Sequence, residues 1–203
     1  MPRQNRVTPF GEIVAYPERG SWMGNRGRLH DEHGQLTERR WSSTLWITCR
    51  LDFKGRKRPL NSPGHYTELF FLDEATAFAA GHRPCGECRR EDYNRFKFCW
   101  LKGNPEIEVK IIGDIDKHLQ KERVGKDRKQ IAHQADINDL PNGTLIAIDG
   151  QAYLVWDDDL LLWSPSGYQH RIVRPLDDKV TVLTPRSIVN AFRQGYVPQR
   201  WEG

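Results

Sequence analysis

Residues 73–90 read DEATAFAAGHRPCGECRR, and the rest of the chain is read outward from this stretch. Asp73 is an N-cap residue type ahead of an Ala-rich body, and Gly81 stands where a C′ glycine ends a helix. His82, Arg83 and Pro84 lead into Cys85-x-x-Cys88, and a second helix is expected to start near Arg89 and Arg90. Two short thiol side chains at this spacing reach one soft, tetrahedral ion without straining the backbone. A redox dithiol is the rival reading. It sits where a strand runs into a helix, whereas the segment before Cys85 reads as helical.

Downstream, residues 90–102 predict a helix with Tyr93, Phe96 and Trp100 on one stripe and Cys99 beside it, a core-facing pattern. Upstream, residues 66–72 predict a strand, and 41–53 (WSSTLWITCRLDF) give the clearest strand signal, β-branched and aromatic with alternating Leu45, Ile47 and Cys49. Cys49 therefore reads first as a core cysteine. Cys49 and His65 are nevertheless the candidates to complete a metal set with Cys85 and Cys88, because a CxxC pair is half of a zinc site. Between them lies KGRKRPLNSPGH, a turn-rich segment whose Lys54, Arg56, Lys57 and Arg58 form the densest charge cluster in the chain. With Arg26, Arg28, Arg89 and Arg90, these are the expected phosphate contacts. Trp22 lies near Arg26 and Arg28 as a stacking surface or a buried loop anchor.

Phe70-Phe71, an Asp-led helix, Ala79-Ala80-Gly81, Arg83-Pro84-Cys85 and Cys88-Arg89 resemble the second half of the Ada-type metal-binding domain. That domain belongs to bacterial methylphosphotriester-repair and response proteins. The resemblance covers about residues 68–92. It implies zinc held by four cysteines, DNA backbone contacts from nearby basic residues, and a first-half cysteine as methyl acceptor. Counting back from Cys85 puts the family's first pair, Cys-x-x-x-Cys, near Lys54 and Arg58, and neither is cysteine. The resemblance thus implies metal binding through other ligands and does not carry demethylation over.

The chain has 203 residues, 29% of them charged and 10% aromatic, which is the composition of a folded protein. It holds no apolar run of membrane-spanning length and no signal-peptide h-region, and its four unevenly spaced cysteines do not form a disulfide framework. A reducing, cytoplasmic setting is expected. The net charge of +4 is uneven: residues 1–103 carry 18 basic against 12 acidic side chains, 104–129 carry 7 against 6, and 130–203 carry 6 against 9. The basic excess lies with the cysteine pair, where a polyanion would dock.

Three weaker motifs remain. His30-x-Glu32 with Pro84-Cys85-x-x-Cys88 matches the zinc deaminase signature in letters, but it runs into Gly34 and a turn where that signature opens a helix. His30, Asp31, Glu32 and His33 are accordingly the catalytic candidates of an enzyme reading. Glu108-x-Lys110, on an expected strand over 106–112, echoes the pair that metal-dependent nucleases place at a scissile phosphate. Asp157-Asp158-Asp159 reads as a turn that has the donors for a cation. Beyond residue 140, alternating segments separated by Asp149-Gly150, the three aspartates and Pro165-Ser166-Gly167 predict an antiparallel meander, with a helix capped by Thr184 and closed by Gly195.

The expectation is an α+β protein in three stretches. Residues 1–103 form a basic zinc knuckle with short strands and two helices, 104–139 a helical, charged connector with a short polar helix over 114–123, and 140–203 a β-meander with a terminal helix. The leading function is zinc-containing nucleic-acid binding, with DNA favoured. A metal-dependent nuclease or deaminase is the first alternative, and a structural-zinc protein whose function lies in the β-half is the second.

Overall fold

In the computed structural model, residues 2–55 and 59–203 are described. The fold is α+β, with four α-helices and two six-stranded sheets among these residues. None of those helices is long and apolar enough to cross a membrane.

The first sheet contains β1 (Arg6–Val7), β2 (Ile13–Val14), β3 (Trp22–Asn25), β4 (Ile47–Cys49), β5 (Leu69–Phe71) and β6 (Arg83–Pro84), in the order β2-β1-β5-β3-β4-β6. The second contains β7 (His133–Asp136), β8 (Leu145–Ile148), β9 (Gln151–Trp156), β10 (Asp159–Ser164), β11 (Gly167–Val173) and β12 (Lys179–Val182), in the order β11-β10-β9-β8-β12-β7 and antiparallel throughout. The expected meander is present. Asp149 and Gly150 both take positive φ, 49° and 77°, as a two-residue type I′ hairpin requires.

Between the sheets lies α1 (Glu74–Ala79), buried along its whole length. Its small residues explain how. Ala77 and Ala80 pack on Val7, Leu69 and Phe71 of the first sheet, while Ala75 and Ala79 pack on Leu145, Leu154 and Leu183 of the second. Phe78 points a third way, against Phe96 and Trp100 of α2 (Arg90–Gly103), Ile115 and Leu119 of α3 (Ile112–Arg123), and Phe192 of α4 (Arg186–Arg193). A helix that is apolar on every side belongs in an interior, and alanines let both backbones approach. Asp73 caps it: the Thr76 N–H donates to Asp73 Oδ1 at 2.8 Å, and Gly81 follows with φ +79°.

The strand expectations change at two places, and other stretches gain a role that local pattern does not show. The 41–53 strand shrinks to Ile47–Cys49, because Ser43 bonds the Leu45 N–H and accepts from the Trp46 ring through its carbonyl, holding a turn instead. The Gly-rich stretch near residue 24 holds β3 in mid-sheet, where a Cβ on Gly24 would lie 2.3 Å from the Ile47 carbonyl oxygen. Residues 106–111 form no strand: Asp114 Oδ2 accepts from the Lys110 and Ile111 N–H groups and starts α3, and Glu108 and Lys110 pair in solvent at 3.1 Å. Finally, the helix expected over 114–123 is present as α3, and 104–139 also joins the cores on either side, through α3 in the helical core and β7 in the second sheet.

Candidate metal centre

Parallel pairing sets Ile47 opposite Arg83 and Thr48 opposite Pro84. The next residue on each strand is a cysteine, so Cys49 and Cys85 leave the sheet side by side. The Cys85 N–H donates to the Thr48 carbonyl at 2.9 Å and fixes that exit. A turn then returns the chain, the Glu87 N–H reaching Cys85 Sγ at 3.4 Å, and Cys88 joins the pair just before α2. The sulfurs of Cys49, Cys85 and Cys88 all lie within 4.8 Å of one another, the one group of potential metal ligands of this kind among the described residues. All four cysteines are free thiols.

The electrostatics are those of thiols crowded together. Hydrogen bonds from Cys49, then Cys88, hold Cys85 far below the ordinary thiol range, so it loses its proton first. Cys49 is pushed far up by its bonds to Cys85 and then Cys88, and by burial. A bound cation removes this conflict by replacing the shared protons. The donor set suits zinc or another soft ion, and three sulfurs supply three of the four donors that zinc takes.

The knuckle is anchored by the two arginines that flank it. Arg83 forks onto buried Asp116 at 2.8 and 2.7 Å, tying β6 to α3. Arg89 is completely buried, bonds Glu74 and Asp92, donates to Thr48 Oγ1 at 3.0 Å and lies 4.0 Å over the Trp22 ring. Burial lowers Arg89, but Glu74 and the other negative partners outweigh it and leave the guanidinium more firmly protonated than usual. Glu74 also accepts from Tyr196 Oη at 2.7 Å and the Gln199 N–H at 2.8 Å.

The three cysteines form one wall of a pocket of about 900 Å³, which Met23, Ile47, Phe53, Tyr66 and Phe70 line with apolar and aromatic surface and Arg50, Glu68 and Glu87 with charge. Outward residues of β3 and β4 thus share one face with the thiols, while Trp46 and Thr48 point inward.

Several site expectations are corrected. His65 is exposed in its loop and stands outside the sulfur cluster; Cys49, read first as core, is the third member. Arg89 cannot meet phosphate because its charge is spent inside. Arg26 is buried too, its guanidinium 4.2 Å over Trp46. Arg28, Lys54 and Arg90 are exposed, and Arg56, Lys57 and Arg58 lie outside the described residues. A strand, not a helix, immediately precedes Cys85, which is the setting a redox pair also uses; the third thiol is what favours metal binding. His30 is buried, bonding Thr67 Oγ1 at 2.7 Å, and Asp31 accepts from the His33 and Gln35 N–H groups as a turn residue. These two, with Glu32 and His33, line a different pocket from the cysteines. Asp157 exchanges bonds with Asn142 and Asp159 pairs with Arg171, which is turn and strand chemistry.

No protein-family model matches the chain, and neither a curated protein nor a solved structure matches it. Cys49 was a candidate partner in the sequence, but nothing there chose it over His65, since the parallel pairing of β4 with β6 that places it is a tertiary feature. Arg50 at the pocket was also missed.

Proposed function

We propose that the chain is a zinc-containing nucleic-acid-binding protein, with DNA as the favoured partner and Cys49, Cys85 and Cys88 as the metal ligands. The observation that carries this reading is the convergence of three thiols in the wall of an aromatic pocket that Arg50 also lines. The metal fixes β4, β6 and the start of α2 as one rigid face. Arg28, Arg50, Lys54 and Arg90 meet phosphates, while Phe53, Tyr66 and Phe70 offer stacking surface to an unpaired base. The Ada-type likeness of residues 68–92 supports the same reading.

A second reading, a metal-dependent enzyme acting on nucleic acid, is favoured by the count of donors. Closed structural zinc sites take four protein ligands, whereas three leave a position for exchange. The metal would then supply Lewis acidity beside the pocket, and not beside His30 or Glu32.

Elemental analysis of wild type, Cys49→Ser and Cys85→Ser comes first, followed by duplex and single-strand binding over a salt series. One zinc per chain, lost in both variants, and an affinity whose salt slope falls by about 2–3 in the Arg50→Gln/Lys54→Gln/Arg90→Gln variant support the proposal. Absence of zinc, or binding that ignores both salt and the triple variant, rejects it. Strand cleavage or base deamination that vanishes in Cys49→Ser selects the second reading.

A further inference from the structure

A pocket of about 630 Å³ shares no lining residue with the cysteine pocket. Five cations line it, Arg26, Arg40, Arg123, Arg128 and Lys129, against the single carboxylate of Glu12. Arg26 is 3% exposed, and its Nη1 donates to the Gly11 carbonyl at 2.9 Å, yet its buried Nε and Nη2 have no hydrogen-bond partner among the described residues. Buried donors on a cation are costly to leave unpaired. Arg123 stacks on the same indole, 4.0 Å from Trp46, and spends its donors on Gly81, Thr44 and Gln120. Neither arginine forms an ion pair with a carboxylate among the described residues, in contrast to Arg83 and Arg89. Burial, then the charge of Arg40, lowers Arg26 to about 9, so it stays charged at neutral pH.

The unmatched charge and the free edge of Arg26 have one chemistry in common. Nε and Nη2 of a guanidinium form the fork that two oxygens of one oxyanion fill. The excess of cations around the fork suits a dianion better than a carboxylate. We propose that this pocket binds the phosphate group of a small phosphate monoester, with Arg40, Arg128 and Lys129 closing on it from the exposed side and Arg26 as the fork beneath, reached when the side chains that cover its Nε and Nη2 give way. Trp41, half-buried in the wall, offers a flat surface to the remainder of the ligand. A duplex carries its phosphates on a broad outer surface and does not reach a side chain at this depth.

The test is calorimetric titration of the full-length protein with inorganic phosphate and with adenosine monophosphate, using chloride and acetate as controls. Saturable binding of one phosphate per chain is expected, with the monophosphate tighter and the controls inert. Arg26→Gln should weaken it about tenfold or more, as loss of a charge-assisted fork does. Arg40→Gln and Lys129→Gln change exposed residues, so they decide the matter if Arg26→Gln does not fold; each should weaken phosphate severalfold and leave metal content unchanged. No saturable phosphate binding, equal binding of acetate, or indifference to the exposed variants would overturn the proposal. Displacement of phosphate by duplex DNA would also overturn it, because the pocket would then belong to a polyanion surface.

Discussion

Glu74 and Arg89 form an ion pair that is wholly out of solvent, and each has a second duty. Arg89 follows a metal-cluster cysteine directly, and Glu74 holds Tyr196 and Gln199. Removing one member of such a pair leaves the other charged and buried, at a cost of about 3–5 kcal/mol. Arg89→Ala is therefore expected to lower the unfolding free energy measured in urea by that amount and to weaken retention of a metal at the three cysteines against a chelator. Arg90→Ala, one residue on and exposed, should change stability by no more than about 0.5 kcal/mol. Sequence alone does not separate these two arginines. Both stand after the cysteine, and the distinction lies in Glu74 and Thr48, which only the tertiary fold brings to Arg89. The same reason hid Arg26, whose partner ring is on another strand. The CxxC pair was legible because its two ligands are local; the third was not.

At the scale of the element, α1 was readable almost to the residue, since Asp73, the alanines and Gly81 each carry a local cause. What could not be read was that it is the middle layer, because alanine is as ordinary on a surface as between two sheets. Gly81 shows how tightly the helix end is fitted. Its φ is +79°, and an added Cβ would lie 2.6 Å from Arg123 Cδ and 2.9 Å from Arg123 Cβ. Gly81→Ala is expected to cost about 1–3 kcal/mol, combining left-handed strain with displacement of a buried arginine. Thermal unfolding checks this, and Gly150→Ala, which has positive φ but open space around it, isolates the strain. The misread strand at 106–111 teaches the converse. Its alternation is real, with Ile107 and Val109 packing on the helical core, but no partner strand is there to pair with it.

At the scale of the molecule, the division at residue 140 drawn from composition does not coincide with a division of the core. Ile188, Phe192 and Tyr196 pack with Phe78, Phe96 and Trp100, so the last helix completes the first half. The Trp201 N–H and Tyr168 Oη both donate to Asp73, at 3.0 and 2.7 Å. One cooperative unfolding transition is expected for the whole chain. Deleting residues 196–203 should unseat Glu74 and Arg89 together and abolish that transition in circular dichroism; a truncated protein that melts sharply would show that the tail is dispensable. Turn residues and alternation did indicate the second sheet. They could not indicate that both halves close over one helix.

That closure gives the chain a schedule. On the ribosome, the cysteines and Glu74 leave the exit tunnel long before Tyr196 and Gln199 are made. Until then the carboxylate that steadies Arg89 lacks the partners that hold it in place, and the three thiols stand on an unfinished support. A metal held by the three thiols would thus gain its finished support only after Tyr196 and Gln199 are made and reach back to Glu74.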